Sequence, residues 1–184
     1  MRITAGEAKG RSLRFPARTG QRPTTDFLRQ ALFNLLGEIE DTTFLDVYAG
    51  SGSVGLEAAS RKAKKVVFIE KNKDCVAAIR ENLSKLGYEA RSLVLSSDVR
   101  QGWLFLFEKQ YAFDYIFADP PYDRAWIAKT MGLLFDFPVL KKDGMLILQH
   151  SVRENTNSMQ AGWLIVDQRR YGDTFLTFIR KVDS

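Results

Sequence analysis

The segment Asp46-Val-Tyr-Ala-Gly-Ser-Gly-Ser-Val-Gly55 constrains this chain more than any other. It follows the apolar, β-prone Thr43-Phe44-Leu45 and precedes the helix-favouring Leu56-Glu57-Ala58-Ala59-Ser60-Arg61, so it reads as strand, glycine turn, helix. In open α/β sheets ligands bind at the carboxyl ends of strands, and glycine there lets the backbone approach a ligand with no Cβ in the way. A small-molecule site at this turn is the first expectation.

Gly50, Gly52 and Gly55 satisfy G-x-G-x-x-G, and Glu70 closes the apolar run Val66-Val67-Phe68-Ile69 twenty positions after Gly50. On spacing alone this is a dinucleotide fingerprint. The same geometry serves any ligand with an adenosine end, because an acidic group at the second strand's tip accepts hydrogen bonds from ribose hydroxyls whatever the sugar carries. Asp46, four residues before the first glycine, favours a cationic ligand: a carboxylate attracts an ammonium or sulfonium and repels a pyrophosphate. The favoured cofactor is therefore S-adenosylmethionine, with S-adenosylhomocysteine as product. The competing reading is that Asp46 only caps the turn through backbone N–H groups.

A second unusual tip ends the apolar run Phe113-Asp114-Tyr115-Ile116-Phe117-Ala118, which passes straight into Asp119-Pro120-Pro121-Tyr122. Each proline pushes the residue before it out of the helical region, so the backbone stays extended and the carbonyls of Asp119 and Pro120 are kept out of a helix. Beside a methyl donor this tip suits an exocyclic amine on a nucleobase, whose lone pair is delocalised into the ring. The Asp119 carboxylate and the Pro120 carbonyl, each accepting one N–H, would orient that lone pair, and Tyr122 would stack on the base. No metal is required. The bland alternative is a rigid turn that only ends a strand.

Elsewhere the pattern alternates strand and helix. A short hairpin is expected from Arg2–Ala5 and Ser12–Phe15 around Gly6 and Gly10, followed by a loop from Pro16 to Pro23. Thr24-Thr25-Asp26 should cap a helix that carries Leu28, Leu32 and Leu35 and stops at Gly37, and Asn72 should cap one that stops at Gly87. A third strand spans Ser92–Leu95, a short apolar helix Trp103–Phe107, and a further helix Ala125–Phe135. Lys142-Asp143-Gly144 reads as a turn before a strand Met145–Leu148, Val152–Gln160 as loop, and Tyr171-Gly172-Asp173 as a hairpin turn between strands Trp163–Val166 and Thr174–Ile179. His150 reads as structural or exposed rather than a general base, and Cys75 as a buried thiol.

These alternations predict an α/β chain with a mostly parallel sheet and one antiparallel member, the outline of a class I methyltransferase. At 184 residues and 45% hydrophobic it has material for one domain, divided here into a basic extension, residues 1–41, and a catalytic domain, residues 42–184. The single cysteine rules out an intramolecular disulfide and a cysteine-based zinc cluster, and no run approaches the ~20 apolar residues of a membrane span. A soluble cytoplasmic monomer is expected. The net charge of +5 is concentrated in the first thirty residues, where Arg2, Lys9, Arg11, Arg14, Arg18, Arg22 and Arg29 face only Glu7 and Asp26. Clustered cations of this kind mark a polyanion partner, with a merely solvated arm as the alternative.

Taken together, Arg2-Ile3-x-Ala5-Gly6, Lys9-Gly10-Arg11, Arg22-Pro23-Thr24-Thr25-Asp26, Ala31-Leu32-Phe33-Asn34, the Asp46–Gly55 turn, Asp119-Pro120-Pro121-Tyr122 and Tyr171-Gly172-Asp173-Thr174 resemble the RsmD family. These are bacterial methyltransferases acting on the N2 amine of a guanine in 16S ribosomal RNA. The resemblance implies that Asp46, Gly50 and Gly52 line the methionine end of the cofactor, that Glu70 holds the ribose and that Asp98 meets the adenine amine, with Tyr48, Ala49, Ser51, Lys71 and Val99 in the same site. It implies that Asp119 to Tyr122 hold the guanine, and that Arg11, Arg14, Arg18, Arg22 and Thr24 contact RNA, within an assembling small ribosomal subunit. Tyr48 stands where phenylalanine is common, and Phe27 and Gln30 replace more polar residues of the first helix. Three rivals remain open: an adenine-N6 or other amino methyltransferase on DNA or another RNA, an NAD-dependent oxidoreductase, and a non-catalytic RNA-binding module.

Overall fold

Strict alternation of the strand residues decides how the layers form. Phe44, Val66, Phe68, Phe117 and Ile147 belong to one buried cluster, whereas Leu45, Val47, Val67, Ile69, Ile116 and Leu148 belong to another, so every central strand is apolar on both sides. Such strands need cover on two faces. In the computed structural model, which describes residues 1–16, 25–121, 126–154 and 162–182, helices supply it. The first cluster takes in α1 (Asp26–Leu36), α2 (Ser53–Ser60) and α3 (Lys73–Leu86), and the second α4 (Val99–Glu108) and α5 (Trp126–Asp136). Arg18, Arg22, Thr24 and Tyr122 lie outside the described residues, as do most of the Pro16–Pro23 and Val152–Gln160 stretches.

Seven strands form the sheet: β1 (Thr43–Val47), β2 (Lys65–Glu70), β3 (Ser92–Ser96), β4 (Phe113–Ala118), β5 (Leu140–Ser151), β6 (Trp163–Tyr171) and β7 (Thr174–Lys181). Their spatial order is β3-β2-β1-β4-β5-β7-β6. All neighbours run parallel except at β7, which is antiparallel to both β5 and β6. The chain winds outward from β1 in one direction to β3 and then resumes at β4 on the other side of β1. That switch opens a crevice at the strand ends, where α/β sheets bind their ligands.

The caps fall where the side chains dictate. Thr25 accepts from the Leu28 N–H and Asn72 from those of Asp74 and Cys75, while Gly37 and Gly87 end their helices at positive φ. Three expectations need correction. The N-terminal hairpin is a single bridge between Arg2 and Ser12, because Thr4, Ala5, Glu7 and Ala8 donate to Glu57 and Ser60 of α2 while Lys9 and Arg11 close local turns. Lys142-Asp143-Gly144 is no turn: β5 already pairs at Leu140, and two steps along β4 match five along β5, so these residues form a bulge. The apolar helix begins at Val99, capped by Asp98, rather than at Trp103.

Buried charge ties the N-terminal segment to the core. Glu57 on α2 is wholly buried and accepts from the N–H groups of Thr4 and Ala5, the Thr4 hydroxyl and the Nε atoms of Arg29 and Arg61 at 2.6–3.2 Å. Arg29, equally buried, also reaches Asp26 and the Arg2 carbonyl. Arg29 therefore does not belong to the solvated basic arm. Cys75 is buried as the sequence suggested, and the structure decides for a buried, structural His150 over an exposed one. His150 bridges Thr177 Oγ1 and the Ser151 carbonyl, with burial holding its pKa down, and burial pushes the Cys75 thiol up to about 11.

Candidate active site

The glycine turn leaves β1 through Tyr48, whose φ of 60° is rare for a bulky side chain. Strain of this kind costs on the order of 1–3 kcal/mol and concentrates at ligand sites. Here α5 holds the ring, through a hydrogen bond between its hydroxyl and Thr130 Oγ1 at 3.0 Å and an edge contact with Trp126 one turn away. The glycines serve different ends. Gly52 takes a positive φ to start α2, and a Cβ on it would strike Ile79 at 2.7 Å, whereas Gly55 lies 2.3 Å, on the same measure, from the Phe68 ring. Gly55 lets α2 sit close on β2, and Gly52 lets the turn sit close against α3. Gly52 does not itself line the cleft.

Two carboxylates brace this turn. Glu70, at the tip of β2, accepts from Gly50 N–H through Oε2 and from Asn72 N–H through Oε1, each at 2.7 Å. It staples the turn to the start of α3 and keeps a further lone pair on each oxygen for a diol. Asp46 is 2% exposed and accepts from Gly55 N–H at 2.8 Å through Oδ2. Burial raises its pKa well above the usual carboxylate range, and nearby Asp119 and Glu70 push the same way. Among the described residues no cation pairs with it. A buried carboxyl held by one hydrogen bond, whose charge is disfavoured until a cation arrives, is a receptor for a positive ligand group, so the residues present fit a sulfonium or ammonium cofactor.

The second tip lies beside the first. β1 and β4 are hydrogen-bonded neighbours with Val47 level with Ala118, a separation of about 4.8 Å between strands. By strand alternation Asp46, Glu70, Asp119 and Gln149 share parity with Phe44, Phe68, Phe117 and Ile147, so all four belong to the α1–α3 face. Gln149 Nε2 donates to Asp119 Oδ2 at 2.9 Å. Burial, reinforced by Glu154, raises the Asp119 carboxyl to about 7, with the Gln149 hydrogen bond opposing. Asp119 is thus poised to change charge near neutrality.

One cleft of about 1500 Å³ joins the two tips. That exceeds the roughly 300–1,000 Å³ of a pocket for one small molecule, leaving room for a cofactor and a base together. Asp46, Tyr48, Ala49, Gly50, Ser51, Glu70, Lys71, Asp98 and Val99 line it, as do Asp119, Pro120 and Pro121. Asp98 spends Oδ1 on the Gln101 N–H as the cap of α4. Arg11 and Arg14 do not line it, and Arg14 pairs with Glu81 on α3. Sequence reading missed Gln149, Trp126, Lys129, Arg153 and the exposed Phe27 packed edge-on against Tyr171, all on the wall. The signal available for Gln149 was a polar residue directly after the apolar run Met145–Leu148.

The switch-point crevice, the braced glycine turn and the sheet order with its single antiparallel strand define a class I methyltransferase domain. The family model described as conserved hypothetical protein 95 matches residues 1–180. The ribosomal RNA small subunit methyltransferase D of Escherichia coli is 34% identical over 89% of this chain and 81% of its own length. Escherichia coli yhhF superposes with a TM-score of 0.86 at 31% identity, over 100% of this chain and 99% of that one. SMU.776, a methyltransferase solved with S-adenosylhomocysteine, superposes at 0.69 with 15% identity over 85% and 48% of the two chains, a likeness of fold. This chain belongs to the RsmD family.

Proposed function

We propose that the chain methylates the exocyclic N2 amine of a guanine in small-subunit ribosomal RNA, with S-adenosylmethionine as donor. The observation that carries this reading is the adjacency of the two tips: a buried, cation-seeking Asp46 on β1 and an amine-accepting Asp119-Pro120 on β4, across one strand spacing in one cleft. When bound, the cofactor supplies a methyl group on a positively charged sulfur. Asp46 favours that charge, Glu70 accepts from the ribose, and Asp98 keeps Oδ2 for the adenine amine.

On the substrate side, Gln149 occupies Asp119 Oδ2 and leaves Oδ1 to accept one amine N–H, while the Pro120 carbonyl accepts the other. The nitrogen lone pair is then held toward the cofactor half of the cleft, and charge developing on nitrogen meets a carboxylate in a water-poor wall. The same carboxylate is a proton acceptor matched to neutral pH. Residues 1–41, with Arg11, Arg14, Arg18, Arg22 and Thr24, serve as the RNA-facing extension in this reading. The named RNA methyltransferase relative supports ribosomal RNA as the substrate class.

Mass mapping of modified nucleosides in ribosomal RNA from cells lacking the protein tests the reading. Loss of one N2-methylguanosine, restored by the purified enzyme, is expected; loss of an N6-methyladenosine instead, or no change, rejects it. The pH profile gives a second measure. Asp119 must be ionised to accept the amine, so kcat/KM should rise about tenfold per pH unit below pH 7 and level off above it, the inflection reflecting the raised carboxyl flanked by Asp46 and Glu154. A flat profile between pH 5.5 and 8 removes Asp119 from that role.

A further inference from the structure

Gln149, two residues before the end of β5, carries a carboxamide that is only half satisfied. It is 5% exposed, its Nε2 is committed to Asp119, and its Oε1 is buried with no hydrogen-bond partner among the described residues. A buried amide oxygen left unpaired is costly, so a donor that reaches it from the cleft gains the hydrogen bond that the fold does not supply. The residue lines the cleft next to the amine-accepting Asp119, so Oε1 offers an acceptor close to the reacting amine, and on the edge of a base the donor that matches it is a ring N–H.

We infer that Gln149 is a base-reading subsite: while its Nε2 aims Asp119, its Oε1 accepts the ring N–H that lies beside the exocyclic amine of the target base. The chemistry of the bases gives this discriminating power. Guanine carries N1–H next to its N2 amine. The nitrogens flanking the amines of adenine and cytosine, N1 or N3, are acceptors, and would face Oε1 lone pair to lone pair. The subsite therefore selects guanine by rewarding a donor and opposing an acceptor. This rests on the guanine-N2 reading above and adds the residue that would enforce it.

The experiment uses small-subunit ribosomal RNA from cells lacking the protein, with the position found by mass mapping rebuilt as guanosine or as 2-aminopurine riboside, which keeps the N2 amine but has an acceptor at N1. Wild-type enzyme should favour guanine by at least about 10²-fold in kcat/KM. Gln149→Leu should bring that ratio to within about threefold of unity, as its leucine offers neither attraction nor repulsion to the ring edge. It should also move the pH inflection upward for both RNAs, because Asp119 loses the donor that favours its ionised form while Asp46 and Glu154 remain. Gln149→Glu retains an acceptor and should keep the guanine preference with a still higher inflection.

Equal wild-type rates on the two RNAs overturn the inference without reference to any variant. So does a guanine preference that survives in folded Gln149→Leu. Absence of any guanine methylation in the mapping refutes instead the function on which the inference rests.

Discussion

Asp119→Ala is expected to lower kcat for RNA methylation by on the order of 10³, with the dissociation constant for S-adenosylmethionine changed by less than about threefold. The substitution removes the acceptor that orients the amine and the negative charge that meets developing positive charge on nitrogen, and touches neither Glu70 nor the glycine turn. Isothermal titration and single-turnover kinetics separate the two quantities. A near-normal rate would refute the proposed amine orientation.

Thermal melting separates that loss from misfolding, and the sign of the Asp119 shift predicts the direction of the stability change. Its folded pKa of about 7 lies above the ordinary value of 3.8, so the protonated form favours folding fully below pH 3.8 and that contribution disappears as pH rises through 7. At pH 8 the ionised side chain opposes folding. Asp119→Ala should therefore melt at or above the wild-type temperature at pH 8 and gain less at pH 5. A carboxylate retained at the expense of stability is what a working site requires.

Glu57→Ala should act the opposite way, destabilising the fold by about 3–5 kcal/mol and lowering Tm by on the order of 10 °C. It strips a buried acceptor from five donors and leaves Arg29 charged and wholly buried without its 3.1 Å partner. The double replacement Arg29→Met with Glu57→Leu should recover only part of the loss. It removes both charges, but the Thr4 and Ala5 N–H groups stay orphaned. Calorimetry on the three proteins checks the order, and an Ala variant as stable as wild type would show that the clasp contributes nothing. Because Glu57 follows directly from the glycine turn, the same variant should release the N-terminal segment and increase its hydrogen exchange.

The sequence by itself determined the local signals of this protein. The glycine turn after β1, the caps at Thr25 and Asn72, the stops at Gly37 and Gly87 and the extended Asp119-Pro120-Pro121 tip each depend on a few consecutive residues. So do the fold class and the nomination of Asp46, Glu70 and Asp119, since a period of two and a glycine spacing are readable without partners. Tertiary structure alone decided which of those residues meet. Arg29 read as one more cation of a basic arm until Glu57, twenty-eight positions on, buried it. Gln149 lay outside the strand read as Met145–Leu148 and carried no assignment until the switch order set β5 beside β4 and brought it to Asp119, thirty positions back. The bulge at Lys142–Gly144 likewise exists only because β4 sets the register that β5 must rejoin. Propensity and capping act within a turn or two of chain, whereas burial and pairing across the sheet depend on neighbours that only folding supplies.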